Sequence, residues 1–93
     1  MESSIRLDKW LFFCRFFKSR SLAANEVESG RVRLNGHPVT KPAHGIKPGD
    51  RISFPAGPYV LTIEVLAPGT RRGPAPEAQG LYRELGRERA PEE

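Results

Sequence analysis

Between residues 7 and 17 apolar side chains return at Leu7, Trp10, Leu11, Cys14 and Phe17. That three- and four-residue spacing is one helical face, and it predicts a first helix ending near Phe17. Ser19 or Ser21 is placed to cap a second helix, whose Leu22, Ala23 and Val27 gather on one side and which Gly30 stops. The two helices occupy roughly residues 5–29. After Gly30 the period falls to two: Val32 and Leu34 alternate with Arg31 and Arg33. Asn35-Gly36, two residues that tolerate positive φ, predict a tight hairpin with His37 to Thr40 as the returning strand. The Lys-Pro-Gly-Asp stretch from Lys47 to Asp50 is a turn, followed by a strand at residues 51–54 and another at 59–66. In the latter, Tyr59, Leu61, Ile63 and Val65 share a face. An order α-α-β-β-β-β predicts an α+β fold in which two short helices pack on a small antiparallel sheet.

The composition shifts after residue 66. Residues 67–93 hold four Pro and four Gly, which predicts an extended C-terminal tail following a domain at 1–66. A short helix near residues 76–85 would let Leu81, Tyr82 and Leu85 dock on the body, although Gly80 weakens it.

With 93 residues and 10.4 kDa the chain has room for one domain. Such a domain buries only roughly 60% of its unfolded surface, which argues against a deep enclosed active site. Cys14 is the only cysteine, so no intramolecular disulfide forms, and with His37 and His44 it makes a poor metal-ligand set. Cys14 lies on the apolar face of the first helix and reads as an inert core thiol, and both histidines read as exposed loop residues. Glu26 and Glu28 stand two apart on a helix and point to different sides, which defeats shared acid–base work. There is no Gly-rich phosphate loop with its lysine, no Gly-x-Ser-x-Gly and no paired-cysteine spacing. No catalysis, cofactor, metal or small-molecule substrate is expected. The start, Met1 to Ile5, lacks the basic and apolar run of a signal peptide, and no stretch reaches the ~20 apolar residues of a membrane span. A monomeric cytoplasmic protein, without a membrane partner, is expected.

Charge is unevenly placed. Residues 1–54 hold ten Lys and Arg against five Asp and Glu, whereas residues 55–93 hold five against six. The first half is therefore where an anionic partner would dock. Projected at 100° per residue, the first helix turns Asp8, Lys9, Phe12, Arg15 and Phe16 away from the core, with Arg6 and Phe13 at the border. Lys18 and Arg20 fall at the start of the second helix, where backbone N–H groups and the positive dipole end favour phosphate. Arg31 and Arg33 share a strand face, with Asn35 at the hairpin tip and Lys41 just beyond. Cations that neutralise phosphates, interleaved with aromatic faces that stack on unpaired bases, fit nucleic acid.

The chain resembles the S4 RNA-binding domain family. The resemblance rests on Arg6-Leu-Asp-Lys-Trp-Leu11, Lys18-Ser-Arg-Ser-Leu-Ala23, Gly30-Arg-Val-Arg-Leu-Asn-Gly36, Lys41-Pro42 and Lys47-Pro-Gly-Asp50, which span residues 5–54. Asp8-Lys-Trp10 and the Arg71-Arg72 stretch followed by Leu81-Tyr82 are similar to the bacterial 15-kilodalton heat-shock protein family within it. The resemblance implies an S4-type (alpha-L motif) fold. It implies an RNA surface made of the two-helix edge and the hairpin, mapping onto Arg6, Lys9, Arg15, Lys18, Ser19, Arg20, Arg31, Arg33, Asn35 and Lys41. Within it Arg6, Lys18 and Arg20 are the expected phosphate contacts, Asn35 is chiefly a turn residue, and Asp8 orients a nearby arginine or a backbone N–H. Longer relatives continue into a basic C-terminal helix, whereas this chain closes on Pro91-Glu-Glu93.

The resemblance further implies a non-enzymatic protein that binds structured rRNA or tRNA, on free large ribosomal subunits that still carry a nascent chain, for rescue or recycling. About four to seven phosphate contacts would make binding steeply salt-dependent. Alanine at Arg6, Lys18 and Arg20 is expected to weaken RNA binding with little loss of fold. The alternatives are a targeting module acting with an RNA-modifying enzyme, and a docking module using Phe12, Phe13 and Phe16 on a protein or an anionic surface.

Overall fold

A computed structural model describes residues 4–90. The start at Met1–Ser3 and the acidic close at Pro91–Glu93 lie outside the described residues. Ile5–Arg6 is a short strand, β1, rather than helix. The first helix, α1, runs over Leu7–Phe13, four residues shorter than its apolar spacing predicts. It ends in a Schellman turn: the Phe16 N–H bonds the Leu11 carbonyl at 3.3 Å and the Arg15 N–H bonds that of Phe12 at 3.0 Å. Arg15 takes the left-handed position with φ 67°, where glycine is usual. This reversal invalidates the 100° projection beyond Phe13 and turns Phe16 inward. Its ring meets Phe54 at 4.9 Å and Tyr82 at 4.8 Å between centroids, so the expected exposed Phe16 is part of the packing.

The second helix, α2, covers Arg20–Glu28. Ser19 is its cap, accepting from the Leu22 N–H at 3.1 Å, and Gly30 at φ +83° ends it. Ala23 and Val27 are buried, but Leu22 is half exposed, so the apolar side of α2 is narrower than the sequence suggests.

The main sheet is antiparallel with strand order β3-β2-β5-β6-β7, formed by β2 (Arg33–Leu34), β3 (His37–Pro38), β5 (Arg51–Ala56), β6 (Tyr59–Val65) and β7 (Tyr82–Arg89). Asn35 at φ 52° and Gly36 at φ 87° close the β2–β3 hairpin, which is shorter than the residue alternation predicts. A separate two-residue strand, β4 (Gly45–Ile46), pairs with β1. One face of the sheet, with Ile52, Phe54, Leu61 and Ile63, packs against Leu7, Trp10, Leu11 and Cys14 of α1 and its cap. The fold is therefore the expected α+β arrangement, with helices on one face of an antiparallel sheet.

The C-terminal segment corrects the expectation of an extended tail. A short helix, α3 (Ala75–Ala78), and a 3₁₀ turn at Gln79–Leu81 lead into β7, which pairs with β6 from Val65↔Tyr82 to Tyr59↔Arg89 around a bulge at Thr62/Ile63. Leu81 is buried and Tyr82 half-buried, whereas Leu85 stays exposed. As an edge strand β7 carries charge on both faces, so no hydrophobic alternation marks it in the sequence. Backbone pairing, a Glu64–Arg83 ion pair and Arg87 lying 5.5 Å from the Tyr59 ring hold it. The Trp10 indole N–H donates to the Ala67 carbonyl at 2.8 Å, and the Leu66 and Ala67 amides donate to Leu81 at 2.9 and 3.2 Å, so α1 and the C-terminal segment share one core.

Candidate nucleic-acid interface

Asp8 is the only buried charged side chain among the described residues, and it organises the basic end of the molecule. Arg6 donates from Nε to Oδ1 and from Nη2 to Oδ2, both at 3.1 Å, in a bidentate pair. The Lys9 amide donates to Oδ1 at 2.7 Å. Arg20, from the first residue of α2, places Nε 3.5 Å from Oδ2. The carboxylate side chain is 4% exposed while Arg6 and Arg20 are 49% and 46% exposed, so the anion fixes two cations that still face solvent. Burial alone would raise the Asp8 carboxyl. The hydrogen bonds from Arg6 and the Lys9 amide, with the charges of Arg20 and Arg6, outweigh that and hold it below the ordinary carboxylate range.

This geometry corrects one expectation from the sequence. Alanine at both Arg6 and Arg20 would leave a buried carboxylate with only an amide donor, so such a variant is not neutral for stability. It also sets the acid response. A folded pKa lowered from 3.8 contributes stability that is complete above that value and lost as pH falls through the folded one. The stability difference between the parent and Asp8→Asn should therefore be constant from about pH 8 to pH 5 and shrink below about pH 4. Chemical unfolding of both proteins across that range checks it; a difference that persists at the acid end contradicts the pairing.

Lys18 and Ser19 immediately precede Arg20 at the α2 N-terminus, where the first-turn N–H groups point outward. The loop carrying Lys41 lies against the start of α1, with the Asp8 amide donating to Pro42 at 3.2 Å and the Leu7 amide to His44 at 2.9 Å. Arg6 and Arg20 thus meet on Asp8, Lys18 and Ser19 adjoin Arg20 in the chain, and Lys41 adjoins the Pro42 that bonds the start of α1. Lys9 flanks them on α1, its ammonium 5.6 Å from the Phe13 ring.

The remaining basic positions do not join that cluster. Arg31 pairs with Glu26 at 3.1 Å near the far end of α2, about 9 Å along the helix axis from Arg20. Arg33 is exposed on the sheet face away from the helices, in register with Ser53 and Pro38. The Asn35 side chain is committed to the turn, accepting from the Arg51 amide at 2.9 Å and donating to Asp50 at 3.2 Å. Arg15 reaches the other way, donating from Nη1 to the Gly73 carbonyl at 3.0 Å.

The aromatic expectations are corrected as well. Phe12 is half-buried beneath the Arg72 guanidinium at 4.7 Å, Phe13 is buried, and Phe16 packs on the sheet. Phe13 is thus withdrawn from the surface, and Phe12 and Phe16 each spend part of their ring on contacts within the protein. Arg72 also donates to the carbonyls of Phe12 at 3.3 Å and Phe17 at 3.4 Å, contacts without a local signal in the sequence. Cys14 is buried and burial pushes its thiol well up, so it is no nucleophile. His37 and His44 are exposed. No group of three metal-ligating side chains and no helix long and apolar enough to cross a membrane occurs among the described residues.

The S4 domain family model matches residues 5–52, the part of the chain that carries this cluster. The heat shock protein 15 homolog of Aeromonas salmonicida is 40% identical over 82 residues, covering 88% of this chain and 61% of its own. Heat shock protein 15 of Escherichia coli K12 is 39% identical over 80 residues, covering 86% and 59%. The chain therefore spans about three fifths of the length of these relatives. The RQC P-site tRNA stabilizing factor of Listeria innocua is 35% identical over 86 residues, covering 90% of this chain and 92% of that one. The trimeric structure of Vibrio cholerae heat shock protein 15 superposes with a TM-score of 0.84 at 44% identity, over 89% of this chain and 83% of that one. The agreement includes most of the C-terminal segment, and the chain belongs to the S4 domain family.

Proposed function

We propose that this chain is a non-enzymatic, cytoplasmic RNA-binding protein that grips structured rRNA or tRNA, on free large ribosomal subunits that still carry a nascent chain, and serves their rescue or recycling. The observation that carries the reading is the Arg6–Asp8–Arg20 cluster at the α2 N-terminus, because a buried carboxylate holds two half-exposed guanidinium groups in fixed positions beside Lys18 and Lys41. Such preset cations suit the fixed phosphate spacing of folded RNA rather than a flexible strand. Arg6, Lys18, Ser19, Arg20 and Lys41 form the centre of the interface, Lys9, Arg33 and Asn35 its flank, and Arg15 and Arg31 its outer limits. The relative of nearly equal length, named for stabilising P-site tRNA, supports a transfer-RNA-bearing ribosomal particle as the target. Mixed charge along β7 discourages edge-to-edge pairing and suits a protein that acts as a single copy.

Co-sedimentation with separated small and large subunits and with intact ribosomes, at low and moderate salt and with free tRNA as competitor, tests the proposal. Travel with free large subunits, strongest when they carry peptidyl-tRNA, is the expected outcome. Equal binding to every particle, or none by a folded protein, overturns it.

A further inference from the structure

We propose that Arg72 is a positioning residue for the RNA interface: from the C-terminal segment it clamps the connection between α1 and α2 and thereby presents Lys18 and Ser19. The inference rests on the interface proposed above and deepens it. The connection, Cys14 to Ser19, has no regular secondary structure, so it lacks the repeating hydrogen bonds that hold a helix or strand in place. It carries Lys18 and the cap of α2 all the same. Beyond the Schellman turn at its start and the packing of Phe16 and Phe17 on Phe54, it is held from 55 to 60 residues away. One guanidinium lies on the Phe12 ring and donates to the carbonyls of both Phe12 and Phe17, bridging the end of α1 to the residue just before Lys18. Arg15 crosses in the opposite direction to the Gly73 carbonyl, so each segment contributes an arginine to the other's backbone.

The planar, five-donor fork of arginine serves a stacked and bridging role that an ammonium cannot copy. Because its Nε and one Nη2 N–H are spent on backbone carbonyls and one face lies on Phe12, Arg72 acts through Lys18 rather than on phosphate. A connection held in its bound shape before RNA arrives loses less conformational freedom on binding.

The test is a double-mutant cycle on affinity for large-subunit rRNA and its salt dependence, with thermal unfolding of each protein in parallel. In the parent background Arg72→Ala and Arg72→Lys should each weaken binding about tenfold, the size of one charge-assisted contact. In a Lys18→Ala background the same changes should have little effect, and the salt slope should fall no further. Arg15→Gly relieves the left-handed backbone while removing the reciprocal bond, so it should stay folded and show the same dependence on Lys18. Parent-like binding by Arg72→Lys, or equal losses in both backgrounds, overturns the clamp, since charge alone or a general loss of structure would then explain Arg72. If Lys18→Ala itself binds like the parent, the proposed interface fails at that position, and the clamp fails with it.

Discussion

Replacing Arg6, Lys18 and Arg20 together by glutamine should lower affinity for large-subunit rRNA by roughly a hundredfold or more, and reduce the salt slope by about two to three. Each side chain is expected to neutralise one phosphate, and each neutralisation releases counterions in proportion. Glutamine is preferred to alanine because its amide still donates to Asp8, which is buried and would otherwise keep only the Lys9 amide. The triple variant combined with Asp8→Asn removes the stranded charge altogether and should unfold close to the parent midpoint. Filter binding across a salt series, with circular dichroism to show that the fold persists, makes the comparison. A folded triple variant that binds with parent affinity and slope would place the interface elsewhere.

The largest effect on stability belongs to Trp10→Ala, with an expected loss of about 3–5 kcal/mol. Trp10 is fully buried, sits among residues of both helices and the sheet, and spends its indole N–H on the Ala67 carbonyl. A domain of this size is stable by only roughly 5–15 kcal/mol, so the substitution takes a large part of the total. Trp10→Phe fills most of the volume and should cost less, the residue of the loss reflecting the unpaired carbonyl. Denaturant midpoints of the three proteins measure both quantities. If Trp10→Ala unfolds at the parent midpoint, the C-terminal segment does not share the core with α1.

What could be read in the sequence follows from where the information is local. Ser19 and Gly30 mark α2, Asn35-Gly36 marks the hairpin, and alternation over residues 59–65 marks β6, because caps, positive φ and a buried face each leave a signature in neighbouring residues. The end of α1 is not legible in the sequence: Arg15 occupies the left-handed position where glycine would signal the stop, and so a helical projection sends Phe16 to the wrong face. The two-residue strands β1 and β4 are too short to show a period. Edge strand β7 was hidden by its charges. For the interface, the cations were visible as a cluster around two motifs, and Asp8 as an orienting group within one of them. The arrest of α1 against Arg72 was not, because that bond joins residues with nothing in their local sequences to pair them.

The bond from Trp10 to Ala67, and the seating of Leu81 and Tyr82 in the same core, give the molecule an order of assembly. The two helices lie more than fifty residues before these partners in the sequence, so the side of α1 that holds Trp10 stays open until the C-terminal segment folds back onto it. Long-range closure of this kind slows folding, because the intervening loop must close before the contact forms. The segment that carries the proposed RNA contacts is therefore incomplete until the C-terminal segment has docked.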